Sequence, residues 1–209
     1  MHFQHPFKRL PVDEKMRLLD AIRTRLTRLP ALWIFAYGSL MWRPCYPVEE
    51  SRGGQLDGFA RRLCVWTLEA RGTTNEPGLG LGLEADATAS CEAIVQRVRN
   101  EDQPTALAAL WDREMLTGIY QPRLLPVATP AGTVTALGFV VDPEHEQYAG
   151  QRPLEWQARR VSVAVGELGS CLEYVQQTLR ALDEQGIHDA QLHSVLDGAR
   201  RLAMTSADS

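Results

Sequence analysis

The order of its segments constrains the fold of this chain more than any other feature of the sequence. Segments typical of β-strands dominate residues 32–141, whereas helical patterns dominate the last third of the chain. One helical segment interrupts the strands at 104–116, with Pro104 in its first turn and apolar residues on one face. Strands followed by helices favour an α+β domain, so we expect a mostly antiparallel, curled sheet with helices against one side.

Individual elements follow from periodicity and from helix-capping residues. The stretch 153–165 remains ambiguous, because its valines alternate as in a strand while Pro153 and Glu155 are typical of a helix start. The predicted helices are 12–29, 104–116, 170–186 and 189–202. The predicted strands are 32–37, 53–68 (one long bent strand or two short ones), the Gly/Leu alternation that ends at 84, 91–99, and two strands on either side of Ala131-Gly132.

The length of 209 residues favours one main domain. We expect an N-terminal helical extension at 1–31, the domain at 32–203 and a flexible tail at 204–209.

The net charge limits the classes of binding partner, and the cysteine content bears on the cellular location. The net charge is −4, and no basic surplus points to nucleic acid or to an anionic membrane. No apolar run approaches the roughly 20 residues that span a bilayer. The four cysteines are scattered, and no secretory segment precedes the fold, so we expect a cytoplasmic protein. Because their number is even, a disulfide bond between two of them is an alternative.

Several patterns that could carry chemistry have simpler interpretations. The stretch "GLGLGLE" at 78–84 lacks the helix that a dinucleotide fingerprint requires, so a strand is favoured. His188 and His193 lie five residues apart without a cysteine or carboxylate at a useful spacing, so solvated histidines are favoured over a metal site. Ser39 lies in a turn but not in a G-x-S-x-G motif, which disfavours a serine nucleophile.

Glu114 is the strongest catalytic candidate from the residues alone. In a helix over 104–116 it shares a face with Leu107, Leu110 and Trp111. A carboxyl group against an apolar face has a raised pKa and suits general acid/base chemistry near neutrality. The alternative is a partly exposed glutamate paired with Arg113 or Arg123.

Five segments, taken together and in order, resemble the ChaC-like branch of the γ-glutamylcyclotransferase family. The resemblance extends from about residue 33 to residue 185, and its specific parts are the "YGSL" turn and the "REM…GIY" segment. The segments are "FAYGSLMWRP", "ARRLCVWTLEARGTTNEPGLGLGLE", "LWDREMLTGIY", "EHEQYAG" and "CLEYVQQTL".

The resemblance implies a fold, an activity and a set of site residues. The fold would be a small mixed β-barrel with flanking helices. The activity would be cleavage of glutathione to pyroglutamate and cysteinylglycine, without a metal or organic cofactor. Glu114 would be the catalytic carboxylate, the turn Tyr37, Gly38, Ser39 and Leu40 would bind the substrate, and Tyr148 would contribute to the site.

One departure from the family pattern leaves the substrate open. ChaC-like proteins usually have an RG-x-P pattern, but here Arg71-Gly72 is followed by Thr73-Thr74-Asn75-Glu76. This departure keeps open a cyclotransferase for another γ-glutamyl amine or dipeptide. A separate alternative, from a different class of function, is a non-catalytic γ-glutamyl-binding regulatory protein.

Overall fold

A computed structural model describes residues 2–207 of the chain, in two compact units. The helical unit comprises Met1–Phe7, Arg62–Gly82 and Glu146–Ser209. The sheet unit comprises Lys8–Arg61 and Leu83–His145. Two long strands contribute residues to both units.

The strands and helices follow the predicted order of segments. The strands are β1 (Leu32–Ala36), β2 (Val48–Thr67), β3 (Gly78–Val98), β4 (Tyr120–Val127), β5 (Val134–Val141) and the two-residue strands β6 (Val165–Gly166) and β7 (Gly169–Ser170). The helices are α1 (Val12–Leu26), α2 (Gln103–Glu114), α3 (Leu154–Val163), α4 (Cys171–Asp183) and α5 (Ala190–Ala207). Short 3-10 turns occupy Ser39–Met41 and Asn100–Asp102.

The five long strands form one sheet in the order β2-β3-β1-β5-β4. The β1–β3 and β4–β5 ladders are antiparallel, and β5 is parallel to β1. Gln55 of the outer strand β2 forms an isolated bridge with Ala128, the residue after β4. Gln55 N–H donates to the Ala128 carbonyl and Ala128 N–H donates to the Gln55 carbonyl, each at 2.9 Å. The predicted α+β class with a mixed, mostly antiparallel sheet and flanking helices is therefore confirmed, but the barrel is not closed by a full ladder.

The structure corrects the sequence prediction at β3. The separate strands expected up to residue 84 and over 91–99 are one strand, Gly78–Val98. Its middle third is exposed or half-exposed and carries small and polar residues, so the hydrophobic alternation disappears there while the backbone ladder continues. The predicted strand at 53–68 is likewise one strand, and Gly58 within it has a φ of +81°.

Helix boundaries follow local capping. Helix α1 ends at Leu26, three residues before the predicted end. The Ser170 hydroxyl caps α4 by accepting a bond from Glu173 N–H at 3.1 Å, and the ambiguous stretch 153–165 resolves into α3 followed by the short strand β6.

The sheet unit encloses a hydrophobic core to which α1 and α2 both contribute. Leu19 and Ile22 of α1 lie in the same cluster as Leu110 and Trp111 of α2. The Trp111 indole donates to the Lys15 carbonyl at 3.0 Å, which holds the two helices together. The helical unit has its own core, where a Cβ placed on Gly198 of α5 would lie 2.9 Å from the Ala158 Cβ of α3. Within the described chain no helix combines the length and apolar character that crossing a membrane requires.

The division into a 1–31 extension, a 32–203 domain and a 204–209 tail stays a prediction. Helix α5 continues to Ala207, and residues 208 and 209 of the predicted tail lie outside the described residues.

Candidate active site

A turn in the sheet unit follows the fully buried strand β1. Tyr37, the first residue after the strand, is 8% exposed, and its hydroxyl donates to the Phe139 carbonyl at 2.7 Å. The Tyr37 side chain therefore anchors the start of the turn to β5, and its hydroxyl proton is donated to a carbonyl of the protein itself. The Tyr37 carbonyl accepts from the Arg61 guanidinium at 3.4 Å, which fixes the other side of the same residue.

Backbone bonds hold the rest of the turn in a single tight conformation. Met41 N–H donates to the Gly38 carbonyl at 3.0 Å, and Arg43 N–H donates to the Ser39 carbonyl at 2.8 Å. Gly38 has φ −140° and ψ −135°, so this turn does not use the left-handed region. The Leu40 side chain is buried in the core of the sheet unit, while Ser39 is half-exposed.

A buried polar chain supports the turn from behind. The Gln96 side-chain amide donates to the Leu40 carbonyl at 3.4 Å, and its oxygen accepts from the Tyr46 hydroxyl at 2.7 Å. Gln96 is 3% exposed, so these bonds satisfy a side chain that would otherwise be costly to bury. Burial raises the pKa of Tyr46 far above its usual value, so the phenol stays neutral and remains a donor.

Glu114 is the last helical residue of α2, and its side chain is only 16% exposed. Burial raises the pKa of the Glu114 carboxyl, and the neighbouring Arg113 guanidinium opposes part of that rise. The helix ends immediately after it, with Met115 at φ −100°, ψ 39° and a left-handed glycine, Gly118, at φ +90°. The Glu114 carboxyl group is therefore largely removed from solvent, and it is carried by the last residue of the helix rather than by a residue in the helix interior.

Arg113 connects the carboxylate to the turn. Its Nε lies 3.1 Å from the Glu114 Oε1, and its Nη2 donates to the Ser39 Oγ at 2.8 Å. Its Nη1 donates to the Arg43 carbonyl. The Arg113 guanidinium thus links Glu114 to the turn at Ser39, which lies 74 positions before Arg113 in the chain.

A half-buried thiol, Cys45, lies beside the same groups. Burial raises the pKa of Cys45, Arg113 lowers it and the Glu114 charge raises it again. The thiol therefore stays protonated and is a poor nucleophile here. In the sequence, Cys45 stands out only as a cysteine beside the turn, with a structural role favoured over a nucleophile, and Arg113 only as a possible partner of Glu114. No pattern in the sequence indicates Tyr46 or Gln96. The other partner considered, Arg123, donates to Gln121 instead.

Tyr148 belongs to the helical unit, where the segment around it is bound to the end of β2. Tyr148 forms an antiparallel bridge with Val65, and Trp66 N–H donates to the Gln147 carbonyl at 2.9 Å. The left-handed Gly150, at φ +71°, follows two residues later. The contribution of Tyr148 to the site stays a prediction.

The loop that departs from the family pattern is also in the helical unit and is closed by its own bonds. Thr73 N–H donates to the Glu76 carbonyl at 2.9 Å, and Glu76 N–H donates to the Thr73 hydroxyl at 3.0 Å. Arg71 at its start is buried, and its guanidinium lies 3.5 Å from the Glu173 carboxylate. A Cβ on Gly72 would lie 2.2 Å from the backbone nitrogen of Gly78, which leaves no room for another residue there.

Comparison with known proteins decides the family. The model of the ChaC-like protein family matches residues 32–202. The chain belongs to this family. A glutathione-specific γ-glutamylcyclotransferase from Escherichia coli (strain K12) is 33% identical over 172 residues, which are 82% of this chain and 74% of the relative. A glutathione-specific γ-glutamylcyclotransferase 1 from Rattus norvegicus is 32% identical over 177 residues, 82% of this chain and 80% of the relative.

A solved structure supports the fold independently. The crystal structure of a γ-glutamyl cyclotransferase specific to glutathione from yeast has a TM-score of 0.73 and 17% sequence identity. The match covers 83% of this ChaC-like chain and 99% of the yeast chain. The expected γ-glutamylcyclotransferase-like fold is therefore confirmed.

Proposed function

We propose that this ChaC-like protein degrades glutathione by cyclising its γ-glutamyl group and releasing pyroglutamate and cysteinylglycine. Relatives that are 33% and 32% identical to this chain over 82% of its length are named glutathione-specific γ-glutamylcyclotransferases. The observation that carries the proposal is the desolvated Glu114 carboxyl, held by Arg113 against the Ser39 turn. This arrangement offers an acid/base next to hydrogen-bond donors.

The reaction is an internal aminolysis. The α-amine nitrogen of the γ-glutamyl group bonds to its own γ-carbonyl carbon, and the bond from that carbon to the cysteinyl nitrogen breaks. Nucleophile and electrophile belong to one molecule, so no covalent enzyme intermediate is needed. The protein must hold the glutamyl chain in attack geometry, and such alignment can lower a barrier by about 7–11 kcal/mol.

Glu114 is the proposed acid/base. As a carboxylate it takes a proton from the α-ammonium of the substrate, and as a carboxylic acid it returns a proton to the leaving cysteinyl nitrogen. Burial raises the pKa of Glu114 and makes the carboxylate more basic, and the Arg113 charge opposes part of that rise. Proton transfer by a positioned carboxyl group contributes roughly 10²–10⁴-fold to a rate.

The turn Gly38–Ser39–Leu40 is the proposed cradle for the glutamyl head. The Ser39 Oγ already accepts a bond from Arg113, so its own proton is directed elsewhere and can be donated to a substrate oxygen. The first N–H groups of a helical turn have no partner within that turn, so those of the 3-10 turn suit a carboxylate or a developing oxyanion. Tyr37 positions this turn through its bond to Phe139, and we propose Tyr148 as a further substrate contact.

The chemistry as written needs no metal or organic cofactor, and the partner is a small γ-glutamyl peptide rather than nucleic acid or a membrane. A cytoplasmic location is supported by the cysteines, since none of the four, all within the described residues, forms a disulfide.

The test is pyroglutamate release by purified protein from glutathione, γ-glutamyl-alanine and γ-glutamyl-lysine. We expect release from glutathione, and near-complete loss of it in Glu114→Gln, which is nearly isosteric. The matched control is Glu101→Gln, which removes an exposed carboxylate from the turn before α2 and should keep wild-type turnover.

Each outcome separates the alternatives. Release from another γ-glutamyl compound but not from glutathione would favour the alternative cyclotransferase and would direct attention to the loop 73–76. No release from any compound would refute the enzyme proposal. Wild-type turnover by Glu114→Gln would refute the role of that residue.

A further inference from the structure

Three potential metal-binding side chains meet at the corner between α4 and α5 in the helical unit. Asp183 ends α4, His188 lies in the connecting segment and His193 lies in the first turns of α5. One ligand atom from each side chain lies within 4.8 Å of the other two. The His193 Nε2 is 3.2 Å from the Asp183 Oδ1, and the two imidazole rings are stacked with centroids 4.7 Å apart.

The backbone of this corner fixes the two helix ends that carry the outer ligands. Gly186 N–H donates to the Asp183 carbonyl at 2.9 Å, and its φ of +72° ends α4 in the left-handed conformation. The Asp189 carboxylate caps α5 by accepting from Leu192 N–H at 2.9 Å. Asp189 also accepts at its carbonyl from His193 N–H at 3.0 Å. Residues ten positions apart in sequence are therefore held side by side, which spacing alone does not reveal.

The chemistry of the three ligands selects the class of ion. Two imidazoles and one carboxylate suit zinc and its neighbours among the late first-row divalent ions, whereas magnesium and calcium prefer all-oxygen sites. A tetrahedral zinc ion holds its nitrogen and oxygen ligands about 2.0–2.2 Å away, which places those ligands about 3.3–3.6 Å from one another. The exposed side chains of Asp183 and His188 can close the present spacing by rotation.

The adjoining groove is balanced in charge apart from Asp183 itself: its other charged lining residues are the carboxylates Glu173 and Glu184 and the guanidiniums of Arg180 and Arg200. We propose that Asp183, His188 and His193 bind one zinc-class divalent transition-metal ion, which crosslinks the end of α4 to the start of α5. The site lies outside the proposed catalytic residues and does not depend on the proposed function.

The test is calorimetric titration of Zn²⁺ into tag-free, chelator-treated protein, with Mg²⁺ titrated in parallel. We expect saturable binding of one Zn²⁺ per chain, no binding of Mg²⁺, and a rise in melting temperature on adding Zn²⁺. His188→Gln, His193→Gln and Asp183→Asn should each weaken Zn²⁺ binding by about tenfold or more, since each removes one of three bonds. His5→Gln, which alters an exposed histidine near the N-terminus, is the control and should bind as wild type does.

Two results would overturn the proposal. One is wild-type protein that binds no Zn²⁺ or binds it without saturation. The other is wild-type affinity in His188→Gln, whose side chain is exposed and whose replacement does not threaten folding. Melting temperatures measured without metal show whether the His193→Gln and Asp183→Asn proteins fold normally.

Discussion

Replacing Arg113 by Gln is expected to move the pH dependence of pyroglutamate release. Arg113 is the cation that lowers the pKa of Glu114 against the effect of burial, and its Nε lies 3.1 Å from the Glu114 Oε1. Without that charge the pKa of Glu114 rises further. The proposed base must be ionised to accept the α-ammonium proton, so the acid limb of the kcat/KM profile moves to higher pH.

The separation of the two groups sets the size of the shift. Unit charges 3.1 Å apart interact by about 5 kcal/mol at an effective dielectric constant of about 20, which is an upper limit. The Arg113 side chain is 26% exposed and shares its guanidinium with Ser39, so solvent and the second partner reduce the effect. An opposite charge at this range typically shifts a carboxyl pKa by about 1–3 units, or about 1.4–4 kcal/mol. We expect the acid limb to move by about 1–3 pH units, and turnover on the acid side to fall by roughly 10–1000-fold.

The assay is the pH profile of kcat/KM for pyroglutamate release from glutathione. Arg113→Lys is the matched control, because it keeps the charge and should keep the acid limb near its wild-type position. Ser39→Ala removes a second side-chain partner of Arg113 and leaves its bond to the Arg43 carbonyl, so it should lower the rate without a comparable displacement of the limb. A folded Arg113→Gln protein whose acid limb coincides with that of wild type would refute the electrostatic coupling of Arg113 to Glu114.

Three further predictions concern stability. The raised pKa of Glu114 means that the folded state binds its proton more tightly than the unfolded state does, so ionisation costs stability as pH rises from the unfolded pKa through the folded one. In calorimetric scans Glu114→Gln should therefore have a higher melting temperature than wild type at alkaline pH, and this difference should disappear at acid pH. A difference in melting temperature with the opposite pH trend would contradict the reasoning. Gly72→Ala places a Cβ 2.2 Å from the Gly78 nitrogen and should lower the free energy of unfolding by at least about 2 kcal/mol in urea titrations. The control is Gly53→Ala, whose added Cβ meets no atom within 4 Å and should change that free energy little. Trp111→Phe loses the indole donor to a carbonyl of α1 and should cost about 1–3 kcal/mol by the same measurement, and a neutral result would mean that water replaces the bond.

Sequence patterns predicted the fold wherever a local signal marks an element end. Pro104 in the first turn of α2, the Ser170 hydroxyl at the start of α4 and Gly186 after its end each match the structure within a few residues. The pattern failed in the middle of β3, because a strand exposed on both faces needs no alternation of apolar and polar residues. The long ladder continues there through backbone hydrogen bonds, and the pattern of apolar and polar side chains carries no information about those bonds.

The candidate site was predictable only in part, for a related reason. The burial of Glu114 follows from the spacing of apolar residues on one helix face. The bond from Arg113 to Ser39 joins residues 74 positions apart, and no periodicity encodes a contact of that range. The pairing of the turn with the carboxylate came from family resemblance, whereas Gln96 and Tyr46, which support the turn from behind, carried no motif at all.

The attachment of α1 has a practical consequence for shortened versions of the protein. The family match begins at residue 32, which invites removal of everything before it. Leu19 and Ile22 are each 4% exposed and pack on the same core as α2, the helix that ends in Glu114. Burying two such side chains contributes about 1.5–3 kcal/mol each, and their loss would leave a strip of Leu110 and Trp111 open to water. A chain cut at residue 31 is therefore expected to aggregate or to lose turnover while still carrying every residue of the family signature.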